Sequence, residues 1–382
     1  MFEFRVLKRD KNSLARTGII ETPHGIVETP AYTMVGTNAA VRTLSSDDLT
    51  DSETQMVIVN TYHMWKDLGG DLQNFEGLHR KMQWEKPLMT DSGGFQVFSF
   101  GFGREHGIGK VKKASSPSGN SAKNIVKIAE EGVYFYDDKE RFLSPEISMD
   151  IQEKLGADII FAFDECTSPL NDYEYTKESM ERTHRWAERC LVAKKMENQA
   201  LYGIVQGGEF RNLRERSATQ IGHMPFQGFG IGGSFGKLEM LDVLEWTIPL
   251  LPIEKPKHLL GIGRIEDIFE GVKRGIDTFD CVIPTREARH GSLWTKIGRF
   301  DVRKGRYADD TGKIEEDCSC PVCSKGVLRG ELHNLFKSKD LSAGRLATIH
   351  NVYFFNNLMG KIRISIREGK FEEVKKEYLG NN

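Results

Sequence analysis

Short apolar runs recur along the 382-residue chain, and each of them ends in small or polar residues. Their apolar cores are continuous rather than alternating, which is typical of strands that are covered on both faces of a parallel sheet. The runs lie at 56–63, 87–94, 157–165, 201–208, 228–233, 258–263 and 275–285. Helix signals separate them, most clearly where Ser144 and Pro145 precede a helical apolar period that stops at Gly156.

These strand, loop and helix units follow one another to about residue 300 without a linker of weak composition. This organisation favours one closed parallel barrel over two doubly wound sheets, between which a seam would be expected. We therefore predict an α/β fold with one closed TIM (β/α)8 barrel over residues 1–305. A smaller subdomain with C-terminal helices is predicted over residues 306–382, where the apolar pattern changes.

Composition excludes disorder for most of the chain and gives no sign of a membrane protein. Apolar side chains make up 39% of the residues, which is enough for a sizeable core. The 53 Lys and Arg residues nearly balance the 55 Asp and Glu residues, so a polyanion would have to bind a local patch. No run reaches the roughly 18 apolar residues of a membrane span, and the charged N-terminus does not resemble a signal peptide. We expect a cytoplasmic protein.

A cysteine cluster indicates a metal site in the smaller subdomain. Cys318, Cys320 and Cys323 form a Cys-x-Cys-x-x-Cys segment, and His350 or His333 could supply a fourth ligand. Three thiolates and one imidazole close a structural zinc site and leave no position for a substrate. Three buried thiols remain the simpler alternative, and an iron–sulfur cluster would need a fourth thiolate that the sequence does not place nearby.

Two aspartates at strand ends are candidates for covalent chemistry. Asp91 lies in MTDSGGFQVFS, and Asp280 lies in FDCVIPTREARHG. A single aspartate in such a position is most often a helix cap. Two of them on one barrel rim could act as nucleophile and acid/base at an acetal-like carbon, as in retaining glycoside cleavage.

Two further polar residues at strand ends fit the edge of a guanine-like base. Asp164 ends a strand in FAFDEC, and Gln206 follows another in IVQGG. A carboxylate accepts from ring and amino N–H groups, and an amide or a glycine N–H can donate to a carbonyl. The ordinary alternatives are a helix cap or ion pair for Asp164 and a loop hydrogen bond for Gln206.

Basic residues are concentrated in two segments. Residues 285–306 hold seven Lys and Arg residues against two acids, and residues 101–124 add five more in a Gly- and Ser-rich stretch. The second segment is predicted to be an exposed, mobile loop. Such runs are usually solvated surface, but beside an active site they could follow a phosphate backbone.

The segments DSGGFQVFS, LSPEISMDIQEKLGADIIFAFDECT, FDCVIPTREARHG and CSCPVC with TIHN resemble those of a tRNA-guanine transglycosylase, in the same order over nearly the whole chain. The resemblance implies an irregular TIM barrel with a zinc-bearing subdomain, usually a homodimer in bacteria. It further implies that the wobble guanine of tRNAs with GUN anticodons is exchanged for a 7-deazaguanine base.

The resemblance also implies roles for individual residues. Asp280 would attack the ribose C1′ and form a covalent tRNA–enzyme intermediate, and Asp91 would be the general acid/base. Two displacements retain the anomeric configuration, and the nucleotide must be flipped out of its stack to reach the pocket.

The remaining implied roles concern the base, the tRNA and the metal. Base binding falls to Asn60, Ser92, Phe95, Asp164, Gln206, Gly232, Gly233 and Leu260. Within this set Phe95 and Leu260 would sandwich the ring, and Asn60 would support Asp91. Arg286 and Arg289 would grip the anticodon loop. The zinc ligands would be Cys318, Cys320, Cys323 and His350.

One segment departs from the common bacterial pattern. After the recognition strand this chain reads GGSFGKLEM over 232–240, where the common form reads Gly-Gly-Leu-Ala-Val-Gly-Glu. The glutamate that helps to bind the aminomethyl group of preQ1 is replaced near Lys237, and an ammonium group there weakens binding of a cationic arm. The segment resembles a subgroup that salvages queuine, so queuine is favoured over preQ1 as the incoming base.

Two other functions are compatible with a barrel of this kind. A non-catalytic tRNA-binding partner subunit would have lost the nucleophile, yet both Asp91 and Asp280 are present. A barrel N-glycoside hydrolase would need neither the basic segments nor the groups that match a guanine edge.

Overall fold

The computed structural model describes residues 2–94, 126–136, 139–233 and 237–380, with backbone alone at 237 and 238. Several predictions therefore fall outside the described residues: the base-stacking Phe95, the loop at 101–124, and the side chains of residues 234–237 that bear on the choice of incoming base.

The strands are numbered in chain order. They are β1 (Glu3–Arg9), β2 (Arg16–Thr22), β3 (Gly25–Thr29), β4 (Ala31–Gly36), β5 (Val57–Val59), β6 (Leu88–Thr90), β7 (Val126–Ile128), β8 (Val133–Tyr136), β9 (Glu140–Leu143), β10 (Ile159–Phe161), β11 (Ala200–Val205), β12 (Gly228–Ile231), β13 (Lys257–Leu259), β14 (Thr278–Cys281), β15 (Ser292–Thr295) and β16 (Gly298–Asp301).

The helices are numbered in the same way. They are α1 (Ser46–Asp51), α2 (Thr61–Asp67), α3 (Leu78–Met82), α4 (Pro145–Leu155), α5 (Tyr173–Ala193), α6 (Arg211–His223), α7 (Lys237–Thr247), α8 (Ile265–Lys273), α9 (Ile283–Arg289), α10 (Pro321–Ser324), α11 (Arg329–Lys337), α12 (Leu341–Glu368) and α13 (Phe371–Leu379). Short 3₁₀ turns cover Ile248–Leu250 and Gly305–Tyr307.

The predicted barrel is confirmed. Eight strands close it in the order β10, β11, β12, β13, β14, β4, β5 and β6. Within the part of the chain that the structure describes, three antiparallel sheets accompany it: β1–β2–β3, β7–β8–β9 and the hairpin β15–β16. The apolar runs did not predict strand β4, because Tyr32 and Thr33 interrupt its apolar pattern.

Helix α4 forms as its sequence predicts. Ser144 caps it by accepting a hydrogen bond from the backbone N–H of Ile147, and Pro145 occupies the first turn. Gly156 ends it with a φ of 76°, a left-handed conformation that glycine adopts without a Cβ penalty.

The chain divides into two compact units. The first unit comprises Met1–Val59, Leu78–Met89 and Pro256–Asn382, and the second comprises Asn60–Gly77 and Thr90–Lys255. The boundary predicted between residues 305 and 306 stays a prediction.

In the first unit, a buried ion pair fixes the start of β14. The carboxylate of Asp277 accepts from Arg16 Nε at 2.8 Å and from Arg16 Nη2 at 2.6 Å, and both side chains are almost fully buried. Asp277 Oδ2 also accepts from the backbone N–H of Lys257 at 2.8 Å. Strands β13 and β14 thus begin in register, with His258 opposite Thr278.

In the second unit, the buried side chain of Gln152 ties two barrel strands together. Its Oε1 accepts from Thr90 Oγ1 at 3.0 Å and from the backbone N–H of Phe161 at 3.0 Å. Its Nε2 donates to the Phe161 carbonyl at 2.8 Å. The residues that follow β6 and β10 therefore start from fixed positions. Among the described residues no helix is both long and apolar enough to cross a membrane.

Candidate active site and metal centre

Asp91 follows β6 in the second unit and is held through both carboxylate oxygens. Oδ1 accepts from the backbone N–H of Thr61 at 2.9 Å and from that of Gly93 at 3.1 Å. Oδ2 accepts from the side-chain amide of Asn60. Asn60 also caps α2, because its Oδ1 accepts from the backbone N–H of His63 at 2.9 Å. The helix cap therefore orients the amide that bonds Asp91.

Asp164, Ser92 and Gln206 form a second cluster in the same unit. Oδ1 of Asp164 accepts from the Ser92 hydroxyl at 2.8 Å, and its Oδ2 accepts from Gln206 Nε2 at 2.7 Å. All three side chains are buried. Oε1 of Gln206 has no hydrogen-bond partner among the described residues. An acceptor carboxylate and an amide thus lie side by side, as recognition of a base edge requires.

Two glycine residues, Gly94 and Gly232, lie directly against this cluster. A Cβ on Gly94 would lie 2.5 Å from Oδ1 of Asp164, and a Cβ on Gly232 would lie 2.5 Å from Nε2 of Gln206. Any larger residue at either position would displace the recognition groups. Gly233 follows directly and is half-buried.

Burial changes the acidity of Asp164. It raises the pKa of this carboxyl to about 6, while hydrogen bonds from Gln206 and Ser92 oppose the rise. The group is thus ionised at neutral pH and becomes a neutral acid under mildly acidic conditions.

A network behind Asp164 was not predicted. Glu165 is buried, and its carboxylate accepts from the Tyr175 hydroxyl at 2.8 Å and pairs with Arg182. The backbone N–H of Glu165 donates to Thr183 Oγ1 at 3.1 Å. These contacts fix the chain at the residue after Asp164. They join the chain that follows β10 to α5, and no local sequence pattern reveals this pairing.

Asp280 lies in β14 of the first unit and is held differently from Asp91. Its Oδ1 accepts from the backbone N–H of Gly261 at 2.9 Å and lies 3.1 Å from His258 Nε2. None of the described residues donates a hydrogen bond to Oδ2. The Asp280 side chain is 14% exposed. One oxygen is therefore held and the other is left for a further partner.

The neighbouring strand β13 supplies His258 and leads to Leu260. His258 is fully buried, and its Nδ1 lies 2.8 Å from the Thr278 hydroxyl. An ionised carboxylate can only accept, so the neutral tautomer that fits Asp280 carries its proton on Nε2 and accepts from Thr278. Leu260 is half-buried directly after the strand. The sequence reasoning missed His258.

Three arginines of the first unit lie near one another. Burial lowers the pKa of Arg289, and the positive charges of Arg42 and Arg286 lower it further. None of the three has an ion pair within the part of the chain that the structure describes. Grouped cations without acidic partners favour an anion such as a phosphate. Arg42 lies outside the basic segments of the sequence and was not predicted.

Much of the basic segment at 285–306 is neutralised by acidic partners. Three of its cations form ion pairs: Lys296 with Glu377 at 3.0 Å, Arg299 with Glu287 at 2.7 Å, and Arg303 with Asp301 at 2.8 Å. A continuous phosphate track along the whole segment is therefore less favoured than a local site at Arg286 and Arg289.

The predicted metal ligands converge in the first unit. The ligand atoms of Cys318, Cys320, Cys323 and His350 all lie within 4.8 Å of one another. Nδ1 of His350 lies 3.8, 3.6 and 3.5 Å from the three sulfur atoms in that order. Tetrahedral zinc would separate a sulfur and a nitrogen ligand by about 3.6 Å, so the spacing fits this ion.

The second nitrogen of His350 and the competing histidine support this ligand set. His350 Nε2 lies 2.8 Å from the Trp294 carbonyl, which leaves Nδ1 for a metal. His333 Nδ1 instead lies 2.9 Å from the Val302 carbonyl, and His333 is not in the cluster. Apolar residues such as Leu293, Ile314 and Leu332 pack around the cysteines. The group could therefore bind a metal.

Comparison with known proteins agrees with the resemblance of the motifs. A family model described as Queuine tRNA-ribosyltransferase matches residues 10–382. A queuine tRNA-ribosyltransferase of Halothermothrix orenii is 44% identical over 98% of this chain and 96% of its own length. Proteins of the same name from Pelotomaculum thermopropionicum and Caldanaerobacter subterraneus are 43% and 42% identical, over 98% and 99% of this chain and 97% and 96% of theirs. The chain therefore belongs to the queuine tRNA-ribosyltransferase family, a family of pentosyltransferases.

Proposed function

We propose that this protein is a tRNA-guanine transglycosylase that exchanges the wobble guanine of GUN-anticodon tRNAs for a 7-deazaguanine base. The observation that carries the proposal is the one-sided bonding of Asp280. His258 and Gly261 hold Oδ1, so Oδ2 keeps its lone pairs for attack on carbon. A carboxylate that served only as a helix cap or an ion-pair partner would not need this arrangement.

The reaction proceeds by two displacements. In the first, Asp280 Oδ2 attacks the ribose C1′, the bond from C1′ to guanine N9 breaks, and the leaving guanine takes a proton from Asp91. In the second, the incoming base loses its N9 proton to Asp91 and attacks C1′, and the Asp280 carboxylate leaves. Each displacement inverts C1′, so the product has the original configuration.

The base is recognised by the cluster in the second unit. Asp164 accepts from N1–H and from the 2-amino group of the base, and Ser92 holds the carboxylate in place. Gln206 and the Gly233 N–H face the carbonyl edge, while Gly232 keeps the approach open. The resemblance assigns stacking on the ring to Leu260 and to Phe95, and Phe95 lies outside the described residues. The nucleotide is flipped out of the anticodon loop to reach these groups.

Queuine is the favoured incoming base and preQ1 the second candidate. The GGSFGK segment lacks the carboxylate expected near residue 237 and has Lys237 instead. A like charge disfavours the aminomethyl ammonium of preQ1. If preQ1 displaces radiolabelled guanine as fast as queuine does, this preference is wrong.

The exchange itself is tested with tRNA that carries guanine at the wobble position. The protein is incubated with this tRNA and with queuine or preQ1, and the modified nucleoside is identified by mass. The proposal predicts incorporation of the 7-deazaguanine and release of one guanine. Release of guanine without incorporation would indicate an N-glycoside hydrolase, and tRNA binding without release would indicate a non-catalytic partner subunit.

Arg286 and Arg289 are proposed to bind phosphates of the anticodon loop, with Arg42 beside them. Arg289→Ala should weaken tRNA binding about uniformly across tRNA sequences and lower the salt slope by about 1. Arg303→Ala is the matched control, because Arg303 is paired with Asp301. Equal effects of the two variants would contradict this assignment.

The protein is further proposed to act in the cytoplasm and to form a homodimer. Light scattering measures the mass of the particle in solution and so tests the homodimer.

The four-residue ligand group is proposed to hold one structural zinc ion per subunit. Zinc supplies no chemistry to the exchange here, because three thiolates and an imidazole leave no open position. Metal analysis should find one zinc per chain, and Cys320→Ser should lose the metal and lower the melting temperature. A metal-free protein with unchanged stability would contradict the proposal.

A further inference from the structure

Arg214 is a fully buried cation that lies close to the ends of strands β11 and β12. It lies on α6, and its Nε donates to the Gly208 carbonyl at 2.7 Å. Its Nη1 donates to the Val205 carbonyl at 3.0 Å and to the Gly232 carbonyl at 2.8 Å. One guanidinium thus ties together the chain after β11 and the chain after β12. Its five donors in a planar fork suit this task better than a lysine would.

The bond to Gly232 determines where the next N–H points. The peptide between Gly232 and Gly233 is trans, and a planar trans peptide directs its C=O and its N–H to opposite sides. Because the carbonyl faces Arg214, the Gly233 N–H faces away from it.

The same guanidinium controls the position of Gln206. Val205 precedes Gln206, and its carbonyl accepts both from Arg214 and from the Gly232 N–H at 3.1 Å. The Gln206 backbone N–H donates to Ser217 Oγ at 3.2 Å, so the peptide before Gln206 is fixed at both ends. The two donors proposed to meet the carbonyl edge of a base thus depend on one buried cation.

Arg214 remains charged under working conditions. Burial lowers its pKa to about 10, which still leaves the guanidinium protonated at neutral pH. A buried cation is costly unless its hydrogen bonds are made. Three of the hydrogen bonds of Arg214 go to main-chain carbonyls of residues that flank the recognition groups. A side chain that only filled space could do so without a charge.

We propose that Arg214 is a positioning residue that aims the Gly233 N–H at the carbonyl oxygen of the base and so makes the site selective for 6-oxo purines. The inference rests on the proposed function, because it assumes that the Asp164 cluster binds the base. It adds that a residue without contact to the substrate determines which group the site accepts at position 6 of the purine.

The test compares guanine with 6-thioguanine, which keeps N1–H and the 2-amino group but has a weaker acceptor at position 6. The KM of guanine and the inhibition constant of 6-thioguanine are measured in the exchange of radiolabelled guanine into tRNA. Wild type should prefer guanine by about tenfold or more. Arg214→Met should reduce this ratio to about twofold, and Arg214→Lys should lie between the two.

Arg216→Met is the matched control on the same helix, since Arg216 pairs at the surface with Glu181 at 2.8 Å. It should leave the ratio unchanged. If Arg214→Met does not fold, Arg214→Lys decides the question, because it keeps the buried charge and loses the fork. If Arg214→Met weakened the binding of guanine and 6-thioguanine equally, or left the ratio of their constants unchanged, the proposed role of Arg214 would be wrong. The proposed function of the protein would still stand. Absence of guanine exchange in the wild type would instead remove the proposed function on which it rests.

Discussion

Asp91 and Asp280 are carboxylates at strand ends in different units, and their surroundings differ in one respect. Donors from Asn60, Thr61 and Gly93 reach both oxygens of Asp91. Among the residues that the structure describes, His258 and Gly261 hold Asp280 through Oδ1 alone. A carboxylate bonded on both sides is oriented and can exchange a proton with small movement, whereas one bonded on a single side keeps an oxygen for a covalent bond.

The comparison separates two roles that the sequence could not separate. Both residues appear in the sequence as an aspartate at the predicted end of a strand. The partners of Asp91 lie at the start of helix α2 and in its own loop at Gly93, whereas those of Asp280 lie in strand β13 and just after it at Gly261. Different partners make the first suited to general acid/base work and the second to nucleophilic attack.

The largest effect is expected from replacing the bonded carboxylate. Asp91→Asn keeps an acceptor for the N–H groups of Thr61 and Gly93 but cannot take up a proton. We expect kcat for guanine exchange to fall by about 10²- to 10⁴-fold, with little change in the KM of the base. An unchanged kcat in a folded variant would show that Asp91 does not move the proton.

Asp164→Asn should act on base binding rather than on the chemical step. The amide presents a donor where the base needs an acceptor, so the KM of guanine should rise by about 10²-fold while kcat changes less. Steady-state kinetics with varied guanine concentration measures the split. If kcat fell by a larger factor than KM rose, Asp164 would act in the chemical step rather than in base binding.

Asp164→Asn weakens base binding, but it should raise the stability of the folded protein relative to wild type as the pH rises. The pKa of Asp164 in the folded protein, about 6, lies above its ordinary value of 3.8, so the folded state favours the proton. This stabilisation is complete below pH 4 and is lost as the pH rises through 6. The free energy of unfolding of Asp164→Asn, measured in urea relative to wild type, should therefore increase by about 1 kcal/mol from pH 5 to pH 8. A constant difference between the two pH values would contradict the raised pKa.

His258→Phe should slow the first displacement by about tenfold, because Asp280 Oδ1 loses one of its two donors and the carboxylate can rotate. His258→Gln, which can still donate, is the matched variant and should retain most of the rate. Rapid mixing with tRNA measures guanine release in a single turnover. Equal rates in the two variants would show that the hydrogen bond does not orient Asp280.

The smallest effect is expected at Asn60, which both caps α2 and bonds Asp91. Asn60→Ala should lower the free energy of unfolding by about 1 kcal/mol and kcat by a few-fold. Asn60→Ser should restore the cap but not the bond to Asp91, so stability should recover while kcat stays low. Recovery of both would mean that Asn60 acts on the rate only through the helix.

Local signals predicted the parts of the fold that depend on neighbours in sequence. The cap, proline and terminal glycine of α4 are such signals, as is the apolar run that becomes β10. Strand β4 was missed because its apolar pattern is interrupted by Tyr32 and Thr33, and the register of the barrel supplies the missing information. The antiparallel sheets were not predicted either.

The site shows the same division. Motifs drew attention to Asp91, Asp164 and Asp280, since each ends an apolar run. The residues that orient them act across many positions: His258 across the β13–β14 pair and Arg214 from helix α6. A histidine or arginine within a strand or helix has no sequence signal that distinguishes such a role from an ordinary buried position.

Covalent capture tests the central assignment most directly. The protein is mixed with guanine-containing tRNA without an incoming base, denatured within the turnover time, and digested with nuclease and protease before mass analysis. We predict a peptide that contains Asp280 and carries a ribose-linked nucleotide, and no such adduct in Asp280→Asn. An adduct that persists in Asp280→Asn, or one attached to the peptide that contains Asp91, would contradict it.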